Sequence, residues 1–67
     1  MSKLHSSRQI EKTLIRFGFE FVSQKGSHRK YKGNFRTVIV PTNKAEIPLG
    51  TFRSILRQAN LREEDFL

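Results

Sequence analysis

Within seven residues, Lys25-Gly26-Ser27-His28-Arg29-Lys30-Tyr31, the chain collects a glycine, a hydroxyl, an imidazole and several cations. Gly26 permits a sharp turn and the close approach of a large anion. A serine hydroxyl both donates and accepts, and imidazole is the side chain best suited to moving protons near neutral pH. Lys25, Arg29 and Lys30 surround Ser27 and His28 with positive charge. A phosphodiester suits such a cluster. A lone histidine at a strand start reads by itself as structural, and the cationic neighbours weigh against that reading. His5 has no such company and is expected at the surface.

Other chemistries find less support. Divalent-metal nucleases group their carboxylates, whereas Glu11, Glu20 and Glu46 stand apart and Glu63, Glu64 and Asp65 form one terminal run. There is no Walker loop, zinc spacing or Gly-x-Ser-x-Gly elbow, so neither metal nor small-molecule cofactor is expected. What remains is acid–base catalysis by His28, with lysines and backbone N–H groups stabilising phosphate charge. RNA lends itself to this, because its 2′-hydroxyl is an internal nucleophile beside the phosphorus.

Sixty-seven residues make one domain, 1–67, with a modest core and net stability on the order of a few kcal/mol. Thirteen Lys and Arg against six acids give a net charge of +7, and with the terminal acids set aside residues 1–62 carry +10. A polyanionic partner follows, with nucleic acid favoured over a membrane surface. No cysteine, no signal-peptide pattern and no apolar run of membrane-spanning length are present, so a cytoplasmic protein is expected.

The elements that must position the cluster follow in order. Residues 1–5 read as a loose lead-in. Ser6 and Gln9 form a capping box ahead of the apolar stripe Ile10, Leu14 and Phe17, and Gly18 ends this first helix in the left-handed position. Arg8, Lys12 and Arg16 lie opposite as a solvated basic face, with Ile15 off the stripe. Residues 19–24 read as a strand with Phe19 and Phe21 on one face, 25–27 as a loop, 28–32 and 35–40 as further strands joined through Gly33-Asn34. That turn pairs Lys32 with Phe35, Lys30 with Thr37 and His28 with Ile39. One face then carries His28, Lys30, Lys32, Phe35, Thr37 and Ile39, and the other Arg29, Tyr31, Arg36, Val38 and Val40. The second face packs under helices and the first stays open.

Pro41 halts the third strand and 42–47 is a loop. Pro48 suits a helix start, and Leu49, Phe52, Ile55, Leu56 and Ala59 make one apolar stripe closed by Asn60 and Leu61. Arg53 and Arg57 flank it, as phosphate contacts or as solvated charges. Residues 62–67 are a polar tail with Phe66 tucked against the core. The order helix, three antiparallel strands, helix gives a two-layer α+β domain with both helices on one face.

Gly26-Ser27-His28-Arg29-Lys30-Tyr31 behind Gly18-Phe19, followed by Gly50-Thr51-Phe52-Arg53-Ser54-Ile55-Leu56 and Leu61-Arg62-Glu63-Glu64-Asp65-Phe66, resembles the HicA toxins of bacterial and archaeal toxin-antitoxin pairs. The resemblance runs from about Ser6 to Phe66. It implies a messenger-RNA interferase on a double-stranded-RNA-binding-like fold, inhibited by a HicB antitoxin. It also implies an active-site motif of Gly26, Ser27 and His28 with the imidazole as catalytic group. Where many members have a further histidine soon after the proline, this chain has Thr42-Asn43-Lys44.

The expectation is thus a metal-independent endoribonuclease toxin acting on mRNA, with His28 as acid/base and Lys25, Gly26, Ser27, Lys30 and Arg53 binding substrate. Its partner is expected to be an acidic HicB-like protein. A non-catalytic RNA-binding module and a pure protein-docking subunit are the competing readings.

Overall fold

The structure, a computed structural model, describes residues 4–67, so residues 1–3 of the expected lead-in lie outside the described residues. Helix α1 (Ser7–Arg16) is followed by strands β1 (Glu20–Lys25), β2 (His28–Gly33) and β3 (Arg36–Pro41), helix α2 (Leu49–Ala59) and a 3-10 turn (Glu63–Phe66). The strands form one antiparallel sheet in the order β1-β2-β3. This is the α+β architecture expected from the sequence.

Both helix ends are written in local chemistry. Ser6 Oγ accepts from Gln9 N–H at 3.1 Å, and Gln9 Oε1 accepts from Ser6 N–H at 2.9 Å, completing the capping box. At the other end Gly18, at φ +93°, lets Phe19 N–H reach Leu14 O and Gly18 N–H reach Ile15 O. Asn60, at φ +57°, closes α2 by the same pair of bonds, from Leu61 to Leu56 and from Asn60 to Arg57. Ile10 and Leu14 of α1, Phe52, Ile55 and Ala59 of α2, Phe19 just ahead of β1, and Tyr31, Val38 and Val40 of the sheet bury together. Burying each large apolar side chain contributes about 1.5–3 kcal/mol, which is how so short a chain holds a fold.

The β2–β3 turn differs from expectation by one residue. The loop is Asn34-Phe35, not Gly33-Asn34, and the pairs are Gly33 with Arg36, Lys32 with Thr37, Lys30 with Ile39 and His28 with Pro41. Packing decides this. A Cβ on Gly33 would stand 2.5 Å from Gly18 O and 2.8 Å from Phe19 Cα, so glycine is needed inside the strand where it passes the α1–β1 junction. Asn34 Nδ2 then donates to Phe17 O at 3.1 Å, anchoring the first loop position. Both loop residues are pushed to positive φ, Asn34 at 52° and Phe35 at 62°, the signature of a type I′ turn. For a bulky L-residue that region costs about 1–2 kcal/mol. Because the loop is still two residues long, strand parity is unchanged. His28, Lys30, Lys32, Thr37 and Ile39 keep the open face, while Tyr31, Val38 and Val40 are buried under the helices. Phe35 leaves the open strand face for the tip.

Other expectations need correction. His5 is half-buried, its ring 5.0 Å from Phe52 and 5.9 Å from Phe66, and its carbonyl accepts from Ile47 N–H. Ile47, expected in a plain loop, is fully buried, and Leu49, expected on the apolar stripe of α2, is exposed. Phe21 shares Tyr31's side of the sheet but stands at the uncovered margin, edge-on to the Tyr31 ring and 52% exposed. The two sheet margins are unlike. Every residue of β1 is exposed, with a bulge between Phe21 and Ser23. On β3, Gln58 Oε1 accepts from Ile39 N–H at 2.8 Å, and Arg36 donates to the last carbonyls of α2.

Candidate nucleic-acid cleavage site

The Gly26-Ser27 pair is a two-residue hairpin loop between Lys25 and His28, which are cross-strand partners. Only Gly26, at φ +58°, has positive φ, the pattern of a type II′ turn with glycine first. Thr42 N–H donates to Ser27 O at 2.8 Å, so the chain after β3 is stitched to the turn. Ser7 Oγ in turn donates to Pro41 O and accepts from Lys44 N–H, fixing that chain to α1. His28 therefore begins the central strand with tethered backbone on both sides and an exposed side chain.

Two adjoining grooves meet at His28. One, of about 460 Å³, is lined by Ser23, Lys25, His28, Lys30 and Ile39 among others. The second, of about 330 Å³, runs from His28, Ile39 and Pro41 to Gly50, Thr51, Ser54 and Gln58 of α2. Of the residues expected to bind substrate, Lys25 and Lys30 flank His28, and Gly26 and Ser27 form the turn beside it. Arg53, exposed on α2, lines neither groove. The sequence reading missed Thr51, Ser54 and Gln58, whose spacing of three and four puts them on one face of α2 turned to His28. That spacing was the available signal.

Arg29 also lines the first groove, but its guanidinium is committed to partners outside the cluster it was expected to join. Its Nη1 donates to Glu11 Oε1 at 2.8 Å, its Nε donates to Gln24 Oε1 at 3.0 Å, and its guanidinium lies over the Phe21 ring. Tyr31 Oη donates to the same Glu11 oxygen at 2.5 Å. Burial first, and then the Glu11 hydrogen bond, push the Tyr31 phenol up to about 12. The Glu11 bond and charge likewise raise Arg29 above its ordinary value. Glu11 is thus no isolated surface acid. Gln24 Nε2 passes the chain of bonds on to Gly26 O at 3.0 Å, so α1 is connected through Arg29 to the turn that carries Ser27. These spans, 18 and 20 residues from Glu11 to Arg29 and Tyr31, left no local pattern to find.

A further concavity, of about 580 Å³, lies on the helical side between α1 and the 42–45 segment, lined by Arg8, Lys12 and Lys44 with Glu11. It contains no histidine, and the Glu11 carboxylate there is taken up by Arg29 and Tyr31. Among the described residues no three His, Asp or Glu side chains come together to hold a metal ion, and no helix is long and apolar enough to cross a membrane.

No curated protein matches the chain significantly. The family model described as the HicA toxin of bacterial toxin-antitoxin matches residues 7–61, from the first residue of α1 to just beyond α2.

Proposed function

Since the chain belongs to the HicA toxin family and is the toxin side of a toxin-antitoxin pair, we propose that it is an endoribonuclease that cleaves mRNA with His28 as its acid/base group. The observation that supports this most directly is the position of His28, exposed between Lys25 and Lys30 where two grooves meet on the open sheet face. In this reading Lys25 and Lys30 hold the phosphate, and the Gly26-Ser27 turn brings backbone close to it. The His28 imidazole takes the 2′-hydroxyl proton. The 2′-oxygen bonds to phosphorus, the bond from phosphorus to the 5′-oxygen breaks, and that oxygen collects a proton from solvent, which reaches the open groove. The products carry a 2′,3′-cyclic or 3′-phosphate and a 5′-hydroxyl. Arg53, outside both grooves, would contact substrate only beyond the reacting phosphate.

The test is His28→Ala. Loss of a positioned general base costs about 10²–10⁴ in rate, so the variant is expected to fold, bind RNA within a few-fold and fail to cleave. Wild-type cleavage is expected to survive EDTA, because the chemistry assigned to these residues needs no divalent ion. Undiminished cleavage by His28→Ala would overturn the assignment. Full retention of the biological effect by a non-cleaving variant would favour the non-catalytic RNA-binding module.

The antitoxin in this reading is an acidic, HicB-like protein that covers the open face. Ile39, 36% exposed amid His28, Lys30 and Lys32, offers it apolar area inside a cationic rim. Footprinting of the complex is expected to protect that face. An inhibitor mapped to the helical side, with His28 still reachable by RNA, would refute direct occlusion.

A further inference from the structure

Phe35 is the oddest residue of the molecule. It is at least as exposed as in an extended chain, 110%, and it occupies the left-handed region at φ +62°, where a type I′ turn ordinarily takes glycine. Nothing in the fold calls for the ring. The turn would form more easily with glycine, and an aromatic in full contact with water contributes no burial. An outlier of this kind, strained and apolar and solvent-facing, points to a role outside the fold.

Its surroundings point to the occupant. On the open face of β2, His28, Lys30 and Lys32 follow one another at alternate positions, all exposed. Alternate residues of a strand lie about 6.6 Å apart, a step comparable with that between successive phosphates of an extended single strand. The row spans about 13 Å from His28 to Lys32 and leads to the Asn34-Phe35 tip. A cationic track that ends in a free aromatic ring is the arrangement by which proteins hold single-stranded nucleic acid, with charge following the backbone and a ring receiving a base.

We propose that Phe35 is a base-stacking platform: single-stranded RNA reacting at His28 runs along Lys30 and Lys32 and lays a base on the Phe35 ring. This rests on the ribonuclease reading and adds to it a second point of substrate contact, at the far end of the β2–β3 hairpin. Stacking takes any base, so the platform sets how much unpaired strand the substrate must offer rather than which sequence it carries.

The chain has no tryptophan, so Phe35→Trp places a single tryptophan, excited selectively at the red edge of its absorption, at the tip. In a His28→Ala background, a short unstructured oligoribonucleotide is expected to quench this fluorescence. Inorganic polyphosphate, with the charge but no bases, should bind without quenching it. Phe35→Gly in the same background is expected to lose about 5- to 150-fold in RNA affinity, to keep its polyphosphate affinity, and to melt no lower than its parent. RNA affinity unchanged by Phe35→Gly, while His28→Ala alone still binds RNA, would overturn the platform and leave the ribonuclease reading standing. Absence of RNA binding by both would overturn the two together. Loss of affinity for the antitoxin alone would make Phe35 a protein anchor and likewise refute the platform.

Discussion

Replacing Glu11 is the sharpest test of how α1 holds the hairpin. Its side chain is 12% exposed, and its Oε1 receives both the Tyr31 hydroxyl and Arg29 Nη1. Glu11→Ala leaves the hydroxyl of Tyr31, a residue only 3% exposed, without its acceptor. A hydrogen bond to a charged acceptor contributes about 1.5–3 kcal/mol. The Arg29 guanidinium has water at hand and is resolvated, so the ion pair itself adds little. In a domain holding only a few kcal/mol, a loss of that size lowers the melting temperature by about 6–24 °C. Glu11→Gln keeps an oxygen for Tyr31 and forfeits the charge, so it should cost less, about 1 kcal/mol. The assay is urea unfolding of both variants, joined to an absorbance titration that needs no deconvolution because Tyr31 is the sole tyrosine. In the parent the phenol titrates at about 12, above the ordinary 10. The folded state holds that proton more tightly than the unfolded chain, so this stability is whole below pH 10 and is lost as pH rises through about 12. In Glu11→Gln the midpoint should move down but stay above the ordinary value, because burial, the larger cause, persists. Stability of Glu11→Ala within about 0.5 kcal/mol of the parent, or a phenol midpoint unmoved in Glu11→Gln, would refute the reasoning.

Two further predictions concern substrate and fold. RNA affinity should fall steeply with salt, and alanine at Lys25, Lys30 and Arg53 together should make the log–log slope shallower by about 2, at about 0.7 per lost phosphate contact. An unchanged slope would remove these residues from the substrate path. Gly33→Ala should cost about 3 kcal/mol, since its Cβ would meet the backbone of Gly18 and Phe19 and not a yielding side chain. A melting temperature equal to the parent's would refute the close approach.

What could be read from the sequence was what repeats at short range. Alternation along 28–32 and 35–40 assigned the two sheet faces and put His28 on the open one, with Phe35 alone displaced, to the tip, and the capping box and Gly18 bounded α1. Gly33-Asn34 misled because glycine has two uses. It permits positive φ and it permits close approach, and here the second was needed, by a junction 15 residues upstream whose proximity no local pattern announces. His5 was misplaced for the same reason, its aromatic neighbours being Phe52 and Phe66 at the far end of the chain. The link from Glu11 through Arg29 and Gln24 to Gly26 crosses three elements, and single charges in a basic chain do not declare their partners.

The unequal sheet margins limit how this chain can assemble when crowded. Gln58 fills the ladder position at Ile39 on β3, while β1 offers its outer backbone without cover among the described residues. A sheet open on one side can be lengthened only there. Two copies that met strand to strand through β1 would use up each other's free edge across a two-fold axis, and a third would find no continuing ladder. Growth by strand addition is therefore self-terminating. Fibre formation, the usual hazard of an exposed strand, would first require α2 to peel away and take Gln58 with it.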